Sequence, residues 1–507
     1  MKNQENRIVC NINGPILKIK GDGFFLNEMV LVNNKPGEVI SVNQNSAIVQ
    51  MYENTAGFKY GDIVTKTNKP LSVTMKPGLL GQIFDGIFRP LSEFKNKPWD
   101  IKITVKPGQF LKEGETFASC IETPSITYKA NVPEGVNGKV KLCKENGSYF
   151  PEEKIISIET STGLKELDLT STSAIRTPLK IKSRLISKTP LITGQRIIDS
   201  FFPIVKGGTC IIPGGFGTGK TMTQHQIAKW CDADIIIYIG CGERGNEMAE
   251  VLEDFAKIID PRTGEPLLSR MVLIANTSDM PVAARESSIY TGITIAEFYR
   301  NMGYHVALMA DSTSRFAEAL REISNRLEEI PAEEGYPAYL ATRLASFYSR
   351  AGFCNNLNGT FGSITIIGAV SPQGGDFTEP VTTHSKRFAK NFWALDRKLA
   401  YARFFPAINW AESYSGYKND LADYFAETIS PKFFEYSQQL LNILYEEYSL
   451  KEIINIIGED SLNQSQRDIL QHAKKIKETF IYQNAYDPLD TYTSLEKQFE
   501  MMEALLQ

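Results

Sequence analysis

The residues whose types and spacing most directly imply chemistry are Gly214, Gly215, Phe216, Gly217, Thr218, Gly219, Lys220 and Thr221. They fit the pattern GxxxxGK[ST]. They also follow an apolar run ending at Ile212 and precede a helix-compatible stretch over residues 222–229, the strand, loop and helix that this pattern requires. Glycines let successive backbone N–H groups turn inward without a Cβ clash, and the helix adds its positive N-terminal end. Such a loop cradles a polyphosphate. Lys220 brings a point charge to the β- and γ-phosphates and the Thr221 hydroxyl a ligand for Mg2+; Met222, next on the helix, completes the expected nucleotide-binding stretch. A glycine-rich turn with a solvated lysine would use the same residues, but it would not need those flanks.

Two carboxylates complete the expected site. Asp311 ends the apolar run 306–310, where a Walker B carboxylate stands beside the metal. The competing role is a helix N-cap, because Asp311-Ser312-Thr313-Ser314 leads into a helical run. Glu243 follows another apolar strand, in Gly242-Glu243-Arg244-Gly245-Asn246-Glu247, and is expected to orient and deprotonate the attacking water. Arg244 beside it is expected to reach the γ-phosphate oxygens. Glu247 and Glu250 are expected on the exposed face of the next helix. The predicted catalytic residues are thus Glu243, Lys220 and Arg244, and the metal residues Thr221 and Asp311.

Positioning these groups requires a large frame. At 507 residues the chain exceeds what one core organises, so several structural units are expected. Residues 1–73 alternate short β-branched runs with turn signals and predict a β-barrel; 74–98 form a connection; 99–184 predict an inserted β-rich domain. Residues 185–430 carry near-continuous apolar strands separated by helices, the mark of a parallel sheet covered on both faces and hence of a central α/β P-loop domain. Residues 431–507, with Leu440, Leu441, Leu444 and Tyr445 at helical spacing, predict a terminal helical bundle.

Bulk properties restrict the function further. A formal net charge of −4, with 42% hydrophobic and 22% charged residues, offers no global basic surface for nucleic acid. No apolar run is long enough to span a bilayer, and the opening Met1-Lys2-Asn3-Gln4-Glu5-Asn6-Arg7 lacks a leader's apolar core. Seven scattered cysteines without a CxxC pair fit a reducing compartment, and four dispersed histidines predict no metal-ligand cluster.

The chain resembles the catalytic A subunits of V-type and archaeal A-type rotary ATPases over nearly its whole length. The resemblance rests on Pro190-Leu191-Ile192-Thr193-Gly194-Gln195-Arg196-Ile197-Ile198-Asp199, the phosphate loop, the Gly242–Glu247 segment, Ala310-Asp311-Ser312-Thr313-Ser314-Arg315 and Glu334-Gly335-Tyr336-Pro337-Ala338-Tyr339-Leu340. It implies a RecA-like nucleotide-binding domain and a ring of three A and three B subunits with nucleotide sites at their interfaces, each completed by an arginine of the B neighbour. It further implies central and peripheral stalk partners and a peripheral position on the cytoplasmic side of a membrane, with ATP turnover coupled to H+ or Na+ movement through a membrane sector. Phe405 and Tyr486 are implied to contact adenine; ordinary core aromatics are the alternative. Thr218 stands where many eukaryotic relatives carry cysteine, so thiol-based inhibition of the loop is not carried over. Rival readings are a flagellar or type III secretion ATPase, the β chain of an F-type ATPase, a helicase-like ring and a non-catalytic nucleotide-binding ring subunit.

Overall fold

In a computed structural model of the chain, the structure describes residues 7–93, 96–457 and 462–507. Residues 1–6, and with them most of the opening segment read above for a leader, lie outside the described residues. The N-terminal unit is a six-stranded antiparallel sheet in the order Ile8–Asn13, Ile16–Lys20, Ser46–Met51, Lys35–Asn43, Glu28–Val32, Val64–Pro70. Its two edges meet. The Val64 N–H donates to the Arg7 carbonyl at 2.8 Å and the Val9 N–H to that of Asp62 at 2.9 Å, which closes the barrel. Inward-facing Leu17, Ile19, Val30, Val32, Val39 and Val49 form a core separate from the rest of the molecule.

The inserted unit packs two four-stranded antiparallel sheets, built around Gly138–Cys143 with Ile156–Thr160 and around Thr116–Thr123 with Trp99–Ile103. The strand leaving it, Ser171–Ala174, pairs antiparallel with Ser72–Met75, so the chain enters and leaves side by side. The connection between barrel and insert contributes to the nucleotide-binding unit, because Ile83–Phe84 adds a parallel edge strand to its sheet beside Met271–Thr277.

That sheet runs in the order Tyr414–Ser415, Asn391–Phe392, Thr209–Pro213, Phe361–Val370, His305–Asp311, Ile235–Glu243, Met271–Thr277, Ile83–Phe84. The strands from Thr209–Pro213 to Met271–Thr277 are parallel and nearly wholly buried, because helices cover both faces. Alternate residues enter different cores. Ile235, Ile237 and Ile239 join a core continuous with the inserted unit, whereas Ile236 and Tyr238 join one continuous with the C-terminal helices. Those helices include Lys418–Thr428, Phe433–Ile457, Gln464–Ile476 and Leu495–Leu506. On Phe433–Ile457 the buried stripe takes Leu440, Leu441 and Leu444, while Tyr445 is 37% exposed, one residue and about 100° beyond the stripe.

The barrel is tied to the rest by buried charge. Arg176, leaving the inserted unit, donates through Nη2 to Glu38 of the barrel at 2.6 Å and to Glu286 of the helix Val282–Asn301 at 2.7 Å. The Tyr52 hydroxyl adds a 2.7 Å hydrogen bond to Glu38. Burial pushes the Glu286 carboxyl up, but the Arg176 charge and hydrogen bonds, with the Arg343 charge and the Ser287 hydroxyl, together hold it below its ordinary value. Its contribution is therefore present above the ordinary carboxylate range and lost as pH falls through the depressed value. Arg176→Ala, which strands two carboxylates in the interior, is expected to cost about 3–5 kcal/mol in urea denaturation at neutral pH. The deficit is expected to shrink near pH 4, where protonation relieves the stranded pair.

Candidate active site

The phosphate loop begins where the strand Thr209–Pro213 ends and the helix Lys220–Trp230 starts. Lys220 Nζ is folded back onto the loop, donating to the carbonyls of Gly214 at 2.8 Å and Gly215 at 2.9 Å. This is a preset cradle, not a turn with a solvated lysine. Gly219 has φ +88°, a left-handed value that favours glycine, and a Cβ there would lie 3.4 Å from the Phe405 ring. The Thr218 hydroxyl donates back to the Gly215 carbonyl at 2.8 Å and tightens the loop. Phe216 is 84% exposed at the rim of the cavity.

Asp311 ends the strand His305–Asp311, two positions across the sheet from the phosphate-loop strand. Its Oδ2 accepts the Thr221 hydroxyl at 2.7 Å and the Tyr238 hydroxyl at 3.3 Å. The N-cap alternative is not realised: the cap position of the helix Thr313–Arg326 is Ser312, without a side-chain cap bond. Glu243 ends the adjacent strand Ile235–Glu243 and lines the same cavity of about 690 Å³ as the phosphate loop, Arg244, Asp311 and Arg315. Arg244 lies at the cavity wall with its side chain 67% exposed and its guanidinium 3.9 Å from Glu247.

The electrostatics follow from burial. Burial, then the Asp311 charge and a hydrogen bond with Glu247, push Glu243 up to about 8, with the Arg315 charge opposing. Burial raises Asp311 too, against the Thr221 hydrogen bond and the Lys220 charge, and burial lowers Lys220. Burial in this cavity therefore works against ionisation of both Glu243 and Asp311. The Thr221 hydroxyl and Asp311 carboxylate are hard oxygen donors in direct contact, a set suited to a small divalent cation such as Mg2+.

Sequence spacing misplaced one residue and missed another. Glu247, expected on an exposed helix face, is half-buried and turned toward Glu243, because the helix Gly245–Lys257 begins directly after the strand and its first turn folds back over the strand end. Glu250 is exposed as expected. Arg315, whose guanidinium lies 2.9 Å from Glu318, also lines the cavity. It stands in the first turn of the helix Thr313–Arg326, directly after the strand that ends in Asp311, and that closeness to Asp311 in the chain was the available signal. Cys241, beside the site, is buried and its thiol is pushed up to about 12, which leaves it unreactive.

A second cavity of about 490 Å³ adjoins the cradle and shares Gly219 and Met222 with it. Phe405 and Tyr486 line it at 40% and 83% exposure, so neither is a core aromatic. Its far wall, which includes Tyr482, Gln483, Asn484 and Tyr486, comes from the C-terminal unit. Arg196 holds that wall by donating to the carbonyls of Phe480 and Tyr482, each at 2.6 Å. The raised Glu243 is an acid whose contribution to the empty fold is fully present below the ordinary glutamate value and is lost progressively as pH rises from there through about 8. Thermal melts of the nucleotide-free chain are therefore expected to favour Glu243→Gln over wild type at pH 9, with the difference shrinking as pH falls and vanishing only near the ordinary glutamate value, at about pH 4.

Four family models match successive parts of the chain: the ATP synthase alpha/beta β-barrel domain over residues 9–68, the alpha/beta subunit barrel-sandwich domain over 91–176, the alpha/beta nucleotide-binding domain over 194–415 and the C-terminal domain of V and A type ATP synthase over 422–507. The V-type ATP synthase alpha chain 2 of Clostridium tetani is 55% identical across 98% of this chain and 88% of its own length. The A subunit of the A-type ATP synthase of Methanopyrus kandleri is 49% identical across 100% of this chain and 90% of its own. Among solved structures, the assembled ATPase EscN of an enteropathogenic E. coli type III secretion system superposes with a TM-score of 0.74 at 22% identity, covering 99% of this chain and 100% of that one. That likeness concerns the fold alone. The relatives' identity over essentially the full sequence shows that this chain belongs to the A-subunit family of V- and A-type ATP synthases.

Proposed function

We propose that the chain is the catalytic subunit of a V/A-type rotary ATPase, hydrolysing or synthesising ATP in a cycle coupled to rotation and to H+ or Na+ translocation. The observation that carries this reading is the convergence of the phosphate loop, the Thr221–Asp311 contact and Glu243 on one cavity. ATP lies with its phosphates over Gly214–Thr221, the loop N–H groups and Lys220 balancing their charge. The base enters the adjoining cavity between Phe405 and Tyr486. Thr221 and Asp311 would hold Mg2+, which would neutralise phosphate charge.

Glu243 orients the attacking water and accepts its proton. Its raised proton affinity suits it to accept that proton. Arg244 and Arg315 stand at the same wall to meet charge on the transferred phosphoryl group. A B-subunit neighbour in a ring of three A and three B chains supplies the remaining arginine, and stalk subunits connect the ring to a membrane sector from its cytoplasmic side. Among the described residues no helix is long and apolar enough to cross a membrane. The secretion-ATPase alternative has the shared architecture in its favour, whereas the relatives at 55% and 49% identity carry ATP synthase names.

Mg-ATPase assays of this chain alone and mixed with its B partner are expected to show turnover only in the mixture. An in-trans arginine is worth about 10³–10⁵ in rate. In the mixture Glu243→Gln is expected to lower kcat by about 10²–10⁴ while nucleotide binding persists. Full activity of the chain alone would instead mark a self-sufficient homohexamer. Phe405→Ala is expected to weaken nucleotide binding by about 5- to 150-fold, since loss of one base–aromatic stack costs about 1–3 kcal/mol; fluorescence titration with a labelled ATP analogue measures it.

A further inference from the structure

Tyr238 interrupts a run of isoleucines in the strand Ile235–Glu243, and it is 1% exposed. A tyrosine buried so deeply needs a partner for its hydroxyl. That partner is Asp311 Oδ2, at 3.3 Å, the oxygen that also accepts the Thr221 hydroxyl. Sheet register explains how they meet. Gly240 stands directly opposite Asp311 in the parallel pair, so Tyr238, two residues earlier, shares the face of the sheet on which Asp311 lies and is its diagonal neighbour. The position between them carries no side chain, and Met248 Sδ would lie 2.3 Å from a Cβ placed on Gly240.

The ring of Tyr238 is held from two sides. His225, on the phosphate-loop helix, meets it edge-on at 6.0 Å between centroids, and Phe255, on the helix after Glu243, meets it at 5.4 Å. His225 and Phe255 are themselves 4.6 Å apart. The tyrosine hydroxyl is thereby fixed relative to the helix carrying Thr221, the strand carrying Glu243 and the strand carrying Asp311.

We propose that Tyr238 is a positioning residue for Asp311: its hydroxyl, together with that of Thr221, orients the carboxylate for a divalent cation, so that Tyr238 sets affinity for metal-bound nucleotide and not for nucleotide itself. This rests on the reading of Asp311 as the metal-shell carboxylate. An aspartate can turn about χ1 and χ2, and two donors converging on one of its oxygens restrict that turn. Removing one donor frees the rotation and leaves a buried carboxylate less well satisfied. Tyr238→Phe keeps the ring contacts with His225 and Phe255 and deletes only the oxygen. If Tyr238 were merely a core aromatic, that change would leave metal dependence untouched.

Isothermal titration of ADP into the full-length chain, once with EDTA and once with Mg2+, tests this without relying on turnover. The same titration with Mn2+, followed by electron paramagnetic resonance, counts the bound metal. For Tyr238→Phe, ADP affinity in EDTA is expected to equal wild type while affinity with Mg2+ falls roughly 3- to 10-fold, as loss of an ordinary hydrogen bond implies. In an Asp311→Asn background the same change is expected to add nothing, because the oxygen pair it acts through is gone. Equal weakening with and without metal, no weakening at all, or an undiminished effect in the Asp311→Asn background would each overturn the proposal. Asp311→Asn leaving the Mg2+ effect intact would remove the metal-shell reading itself; Asp311→Asn abolishing it while Tyr238→Phe is silent would refute the tyrosine's part alone.

Discussion

The hydrogen bond from Thr221 to Asp311, 2.7 Å long, joins two parts of the sheet that are not neighbours. Between the phosphate-loop strand and the Asp311 strand runs Phe361–Val370, so their backbones stand about 9–10 Å apart. The helix Lys220–Trp230 must cross that interval at one angle for its first-turn threonine to reach the carboxylate. The rest of the central unit maintains that geometry. The sheet is buried on both faces, and its central strands from Thr209–Pro213 to Met271–Thr277 run the same way and release their polar ends at one edge.

Each face of the sheet also has its own mechanical connection. One core runs into the inserted β unit and the other into the C-terminal helices, because alternate strand residues point in opposite directions. The C-terminal unit contributes Tyr482, Gln483, Asn484 and Tyr486 to the second cavity, under the hold of Arg196. Contents of that cavity therefore touch the sheet domain and the helical domain at once. The barrel stands apart, with a separate core and a charged link through Arg176.

Charge in the site is arranged against the protein's own interest in burying it. Glu243, Asp311 and Glu247 crowd a partly dehydrated cavity, and the first two are pushed toward protonation by burial. Phosphate chemistry resolves that conflict only when cations accompany the phosphates, because opposite charge at close range lowers what burial has raised. Arg244 and Arg315 reach the wall with long, exposed side chains and can move to meet charge as it shifts.

Much of this was legible in the amino-acid order. The phosphate loop, the strands ending in Glu243 and Asp311 and the bundle stripe at Leu440, Leu441 and Leu444 are local patterns, set by φ/ψ demands and by the period of apolar residues. Glu247 shows where local reading fails: helical period placed it on a solvent face, but the strand end next to that helix turned it toward Glu243. Phe405 and Tyr486 read equally well as core or as ligand contacts, since an aromatic residue carries no mark of what will pack on it. Tyr238 carried no signal beyond being a tyrosine among isoleucines. Sequence by itself determined which backbone segments could cradle phosphate and end in carboxylates, because those are properties of neighbouring residues. Only the tertiary structure decided which side chains share a cavity, because that depends on strand order and register between segments far apart in the chain.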